Sequence, residues 1–399
     1  MNRKISLGAA ISFMAVVAAI TFTITMIFSL GIFNEKVHNV KEREELYKKV
    51  SEVDHLIREN FVGELDEDAL LGGLSEGFVN GAKDSYAAYY DAETFHKIQQ
   101  IEEGKLTGIG AELVRDDSGY LRMVHVYEGS PAASAGLQDG DLLISVEGAD
   151  TKALDFEKAS RMLMGEAGTT LHVSYRREDV DTECDILRKS FDQPVVSMTV
   201  REDGNAYVRI ASFSASAVEQ FRRAMNEAEV SEVSGLVFDL RNTAGGSLES
   251  ACRMLDVLLP LGDLLSAVYK DGTTELLYRS DANEIDLPMV VLVNEKTQYA
   301  AELFAANLMD YEKAKLIGGT TYGQGLMQKS YQLRDGSGVV LSNAYYTSAV
   351  SANFDRVGLK PDYEVALGSD AEKALLYGTL EEADDLPLQK ALEVLETSK

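Results

Sequence analysis

The clearest chemical signals in this sequence come from backbone motifs rather than from clustered reactive side chains. Gly108-Ile109-Gly110-Ala111 is a glycine-flanked loop. Such a loop can turn successive backbone N–H groups into one concavity that suits an anion. Taken alone, the same residues are better read as a tight turn. Gly245-Gly246 separates an apolar run ending at Arg241 from a helical pattern over 247–258, so the positive end of that helix follows the turn. Neither CxxC nor HExxH occurs, so zinc chemistry has no support, and neither metal nor cofactor is expected. Cys184 and Cys252 are too few for a disulfide framework, and Cys252 sits in an apolar stretch as a small core residue would.

Composition narrows the function classes. A chain of 399 residues carries two or three domains rather than one. Its formal charge of -27 excludes nucleic acid as a partner, because phosphates would be repelled. Arg3 and Lys4 precede an uncharged run over residues 7–33, long enough as a helix to cross a bilayer. We expect an uncleaved signal anchor there, with a cytoplasmic stub and everything after Asn34 outside the cell membrane.

Periodicity then supplies the elements. Helical spacing appears at Leu46, Val50, Val53 and Ile57, and again over 66–79 with Leu70, Leu71, Leu74 and Phe78 on one side. From about Gly104 the texture changes to short apolar runs punctuated by glycine. Strands are expected over 121–127 and 171–176, with a helix over 155–164 between them. Beyond Pro194 strands and helices alternate. Strands are read at 206–210, 235–241, 264–269, 276–279 and 289–294, and helices at 217–228, 247–258 and 300–310. That alternation predicts an α/β core, and the almost wholly apolar Met289–Asn294 is the kind of strand buried on both faces.

Two resemblances follow from ordered motifs. Gly108 to Ala111, Gly129-Ser130-Pro131 with Gly136-Leu137, and Gly140-Asp141-Leu142 through Gly148 resemble a PDZ domain. This implies capture of a peptide carboxylate by Ile109, Gly110 and Ala111, with the neighbouring strand edge pairing to the peptide. Asp239-Leu240-Arg241-Asn242 with Gly245-Gly246, Val291-Leu292-Val293-Asn294, Gly318 to Gln328, Tyr345-Tyr346-Thr347 and Gly358-Leu359-Lys360-Pro361-Asp362 resemble the C-terminal processing serine peptidases. The fold class implied is an α/β (α+β) peptidase core with a PDZ domain, N-terminal helices and a transmembrane anchor. Its segments would be 1–34 stub and anchor, 35–94 helical region, 95–190 PDZ domain, 191–376 core and 377–399 tail.

That family places a nucleophilic serine three residues before a glutamate, and a basic lysine inside a Gly-Lys-Gly turn. Here Glu302 sets the register, so the nucleophile position holds Tyr299; the turn reads Gly323-Gln324-Gly325, so the base position holds Gln324. Gln328 matches a supporting glutamine, and Gly245, Gly246 and the N–H of Ala300 match the oxyanion-hole region. A glutamine amide has no basic lone pair to take a hydroxyl proton. All five histidines (His38, His55, His96, His125, His172) precede the core, which excludes a Ser–His pair inside it. Thr297 and Ser330, beside Lys296 and Lys329, are the nearest other hydroxyl–amine neighbours, and adjacent residues tend to point apart.

The expected function is that of an inactive, membrane-anchored pseudoprotease that binds protein C-termini or unfolded segments, or that regulates an active paralogue. The competing expectations are an endopeptidase with a relocated nucleophile and a PDZ scaffold protein. A homodimer is a further expectation.

Overall fold

The computed structural model describes residues 7–102, 107–191, 194–281 and 283–398. Arg3, Lys4 and Gly104 lie outside the described residues. The chain divides into two compact units, with the boundary between Leu74 and Ser75.

In the first unit a single helix, α1 (Leu7–Asn60), carries both the uncharged run and the amphipathic stretch after it. At its end Arg58 bonds Asp54 and, through two N–H groups, the carboxylate of Glu67. Helix α2 (Glu67–Asn80) starts where Asp66 accepts the N–H groups of Asp68 and Ala69, an N-cap that satisfies donors the helix itself cannot. The apolar side read from its sequence is largely open: Leu71, Leu74 and Phe78 are exposed. Among the described residues no helix is long and apolar enough to cross a membrane.

The second unit begins its regular structure with β1 (Ala88–Tyr90) and α3 (Ala92–Glu102). A compact β-rich body follows, made of β2 (Ala111–Arg115), β3 (Leu121–Val126), α4 (Pro131–Ser134), β4 (Leu142–Val146), β5 (Ala149–Asp150), α5 (Phe156–Leu163), β6 (Thr170–Arg177) and β7 (Val180–Leu187). Its sheet runs β2-β3-β4-β6-β7, with β5 on β4, so β2 and β7 are edges. Asp155 caps α5 by accepting the N–H of Lys158. Leu121, Met123, Leu143, Leu171 and Val173 fill the interior. The strand expected to end this body, β6, instead turns into a hairpin with β7.

The core continues through β8 (Val196–Val200), β9 (Ala206–Ile210), α6 (Ala215–Val230), β10 (Leu236–Asp239), α7 (Leu248–Leu255), β11 (Gly262–Tyr269) and β12 (Thr274–Ser280). It ends with β13 (Met289–Val293), α8 (Ala300–Asp310), β14 (Ala314–Gly318), β15 (Leu326–Gln332), β16 (Gly338–Thr347), β17 (Tyr363–Glu364), α9 (Ser369–Leu376) and α10 (Leu386–Ser398). One sheet, β17-β14-β13-β10-β9-β8, is parallel except for β8. A second, β1-β16-β11-β12 with β15 on β16, is antiparallel.

The central strand shows why its sequence is continuously apolar. Val291 and Val293 face the cluster built by α6, α7 and α8, whereas Val290 and Leu292 face Leu388, Ala391 and Leu395 of α10. Strands alternate sides, so covering both faces requires apolar residues at every position. The residues read only as a tail therefore include a whole layer of the fold.

A buried ion network seats that layer. Arg241 donates to both carboxylate oxygens of Asp239 and, through two N–H groups, to Asp385 just ahead of α10, at 2.6 to 3.1 Å. Tyr207 adds its hydroxyl to Asp239 at 2.5 Å. Burial opposes the charge on Asp239, yet the adjacent guanidinium holds its carboxyl below the ordinary range. Replacing Arg241 by alanine leaves two buried carboxylates without their cation, a loss on the order of 3–5 kcal/mol. The R241A variant should therefore unfold at clearly lower urea. A midpoint within error of the natural protein would show that the network does not hold α10.

Candidate functional site

The site is built from a sharp turn between β13 and α8. Asn294 ends the strand and locks to the loop after β10: its carboxamide oxygen accepts the N–H of Asn242 at 3.0 Å, and its nitrogen donates to the carboxamide oxygen of Asn242 at 2.9 Å. Thr297, fully buried, donates to the carbonyl of Leu240 and accepts the N–H of Asn294. The N–H of Gln298 reaches the carbonyl of Thr243 at 2.9 Å. These bonds bring the chain round to Tyr299, the residue that begins α8 with φ 57° and ψ -108°. A bulky aromatic rarely adopts positive φ, and such a conformation costs on the order of 1–3 kcal/mol unless its surroundings impose it.

Glu302 imposes it. This carboxylate is wholly buried and accepts four donors: the N–H of Tyr299 (3.0 Å), the hydroxyl of Thr321 (2.5 Å), and the N–H groups of Gly323 (2.6 Å) and Gln324 (2.9 Å). Burial pushes its carboxyl above the ordinary value against these donors. Tyr346 completes the clamp from the opposite polarity. Its buried hydroxyl lies 2.6 Å from the carbonyl of Gln324 and 3.1 Å from that of Tyr299. The structure thus brings Tyr299, Glu302 and Gln324 into one unit through their backbones.

The side chains at the two key positions are occupied elsewhere. The ring of Tyr299 stands edge-on to that of Tyr346, with centroids 5.9 Å apart. Burial pushes the phenol up to about 12, so it stays protonated near neutral pH. Gln324 is buried and accepts the side-chain N–H of Gln298 at 2.6 Å. Gln328 lies at the irregularity of the β15–β16 ladder, and among the described residues its buried side-chain nitrogen has no hydrogen-bond partner. Sequence reading passed over Thr321 and Gln298 and treated Tyr346 only as a landmark. Their polar side chains gave no signal, because their partners lie 19 to 47 positions away.

The remaining candidates divide. Gly246 stands against Phe213, where a Cβ would fall 2.8 Å from that side chain and 2.9 Å from its carbonyl. At Gly245, φ is +72° and a Cβ would meet nothing, so only its conformation calls for glycine. Ala300 is fully buried at the first position of α8. Lys296 is exposed and the hydroxyl of Thr297 is spent, so this neighbouring pair does not combine into a nucleophile and base. Lys329 is exposed and sits over the ring of Tyr331. His125 and His172 face Asp139 and Asp185 within the β-rich body.

In that body the loop from Gly108 to Ala111 leads into edge strand β2. Ile109 is buried, its carbonyl takes the N–H of Ala132, and the carbonyl of Gly110 takes that of Tyr127. Gly110 has φ +73° and abuts Ser130, where a Cβ would fall 2.4 Å from the serine Cβ. Glu112 on β2 accepts the hydroxyl of Tyr127 and ion-pairs with Arg209 of β9 at 3.1 Å, joining this body to the core.

Comparison with known proteins matches this arrangement in three parts. Residues 204–365 match Peptidase family S41, residues 124–177 a PDZ domain, and residues 6–94 the activating protease CtpB N-terminal domain. The chain is 27% identical over 369 residues to the carboxy-terminal processing protease CtpA of Bacillus subtilis, covering 92% of this chain and 78% of that protein. It is 28% identical over 310 residues to the carboxyl-terminal-processing protease of Synechocystis, covering 76% and 71%. Among solved structures, the photosystem II D1 C-terminal processing protease superposes with a TM-score of 0.54 at 25% identity, covering 81% of this chain and 89% of that one.

Replacing Glu302 by alanine strands four donors at once, each costing about 1–3 kcal/mol when buried unpaired. The E302A variant should lose more than about 3 kcal/mol in urea unfolding. A loss under about 1 kcal/mol would mean that the elbow does not depend on this carboxylate.

Proposed function

We propose that this chain, which belongs to peptidase family S41 and carries a PDZ domain, is a peptide-binding pseudoprotease descended from C-terminal processing serine peptidases. The observation that carries this reading is the occupancy of the elbow. A protonated tyrosine stands where the resemblance puts the nucleophilic serine, and its ring packs inward on Tyr346. A glutamine engaged by Gln298 stands where a lysine would serve as base. A serine–lysine pair works because the desolvated amine takes the hydroxyl proton, and an amide cannot do so. Peptide engagement then falls to the PDZ domain, whose edge strand β2 can accept an added strand beside the loop from Gly108 to Ala111. Protein C-termini and unfolded segments are the proposed ligands, and an active paralogue or a second copy the proposed partner.

Residues 7–33 are proposed as the membrane anchor of this protein. In support, α1 is helical from Leu7 onward, and Phe13, Val17, Phe22 and Ile24 are exposed on it. Apolar side chains of this kind are costly to leave in water.

Casein and peptides with apolar C-termini test the catalytic part. The full chain should leave both uncut, whereas the Tyr299→Ser, Gln324→Lys double variant should cut them, since Glu302 and Tyr346 already hold the backbone. Cutting by the natural protein, undiminished in Tyr299→Phe, would sink the proposal. For the anchor, the full chain should stay in the membrane pellet through alkaline carbonate, and a chain lacking residues 1–34 should not. Release of the full chain would refute the anchor.

A further inference from the structure

A cavity of about 310 Å³ opens at the carboxyl ends of β10, β13 and β14, and none of Tyr299, Glu302 or Gln324 lines it. Ligands of open α/β sheets gather in the crevice outside the carboxyl ends of the strands. Three parts of the second unit wall this one: Arg115 and Asp117 from the PDZ domain, the loop from Asn294 to Lys296, and the stretch from Val365 through α9. Val293, Val365 and Leu376 give part of a mixed lining apolar character.

Its charges are unusual for a chain of net -27. Arg241 and Lys373, both in the lining, are neutralised by Asp239 and Asp385 and by Asp117. Arg115 spends its donors on the carbonyls of Gly119, Thr151 and Leu154, at 2.6 to 3.1 Å, and so meets no carboxylate. Among the described residues no ion pair involves Arg115, Lys296, Glu295 or Glu372, all four of which line the cavity. Two uncompensated cations and two uncompensated anions beside the apolar patch of Val293, Val365 and Leu376 match a ligand that carries both charges and an apolar group. The volume lies at the small end for ligand sites, which limits that ligand to a few heavy groups.

We propose that this cavity binds a short zwitterionic peptide, from an apolar amino acid to a dipeptide. Its loop wall continues through Thr297 into the elbow, so occupancy would bear on the same segment that begins α8. This proposal is independent of whether the elbow is catalytic.

The test is titration of the full chain with leucyl-leucine, read by ligand-observed saturation-transfer NMR, beside N-acetyl-leucine, leucinamide and the uncharged N-acetyl-leucinamide. Leucyl-leucine should bind, each singly charged compound about tenfold more weakly, and the uncharged one not measurably. Two variants locate the site. Gly319 lines the cavity, and a Cβ there would meet only the Cα of Asn294, at an ordinary 3.8 Å. Gly319→Leu should therefore fill the space, abolish binding and leave thermal unfolding unchanged. Lys296 is exposed, so Lys296→Gln tests the charge without disturbing the fold, and binding should weaken several-fold. Binding that survives Gly319→Leu in a folded protein lies elsewhere, the PDZ loop included, and overturns the proposal. So does failure of leucyl-leucine to bind at millimolar concentration, or equal binding of the uncharged compound.

Discussion

A single buried carboxylate fixes the geometry on which this molecule's site depends. Glu302 receives the N–H groups of Tyr299 and Gln324, and Tyr346 reaches the carbonyls of the same two residues. Every one of these contacts is to backbone. The elbow and the glycine-flanked turn are thus held in mutual position whatever side chains stand at 299 and 324. Such a frame lets the side chains at these two positions vary while the fold around them persists. Function then has to be read from the site's side chains, because the frame alone does not report it.

Much of the frame was legible because its signals are local. A run of five apolar residues foretold the doubly covered strand β13, and Ser247 and Asp155 announce the helices they cap. Glu302 gave the register that placed Tyr299. What escaped notice depends on residues far apart in the chain. Asp385 meets Arg241 across 144 positions, so nothing near either residue marks α10 as a layer of the sheet. The hairpin β6–β7 was cut short because Val180–Leu187 interleaves its apolar residues with Asp181, Glu183 and Asp185, and only Ile186 of it is buried. Apolar spacing in α2 promised packing, yet periodicity marks a potential face and not its cover.

The acidic excess of the chain is distributed differently inside and out. Asp239 and Asp385 share Arg241, and Glu112 on β2 pairs with Arg209, whereas Glu302 is held by neutral donors. Glu112 shows the economy of such pairing. Burial opposes its ionisation, but Arg209 and the hydroxyl of Tyr127 hold its carboxyl below the ordinary value. Because Glu112 stands on the edge strand proposed to receive a peptide, the PDZ domain's binding edge and its attachment to β9 share one residue. Any peptide pairing with β2 is therefore added to a strand already tied to the core.

The strained conformation at Tyr299 calls for a different account from the usual one. Positive φ in a bulky residue generally signals a functional demand, with strain held in place by its surroundings. Here the surroundings are present in full, in the bonds of Glu302 and Tyr346 to the backbone, while the side chain turns inward as a packed, protonated phenol. Relaxing the elbow would break bonds to a buried carboxylate worth more than the strain they impose. The strain is consequently maintained by the stability of the core. In this fold the shape of the elbow follows from its backbone frame, and only the groups that occupy it bear on chemistry.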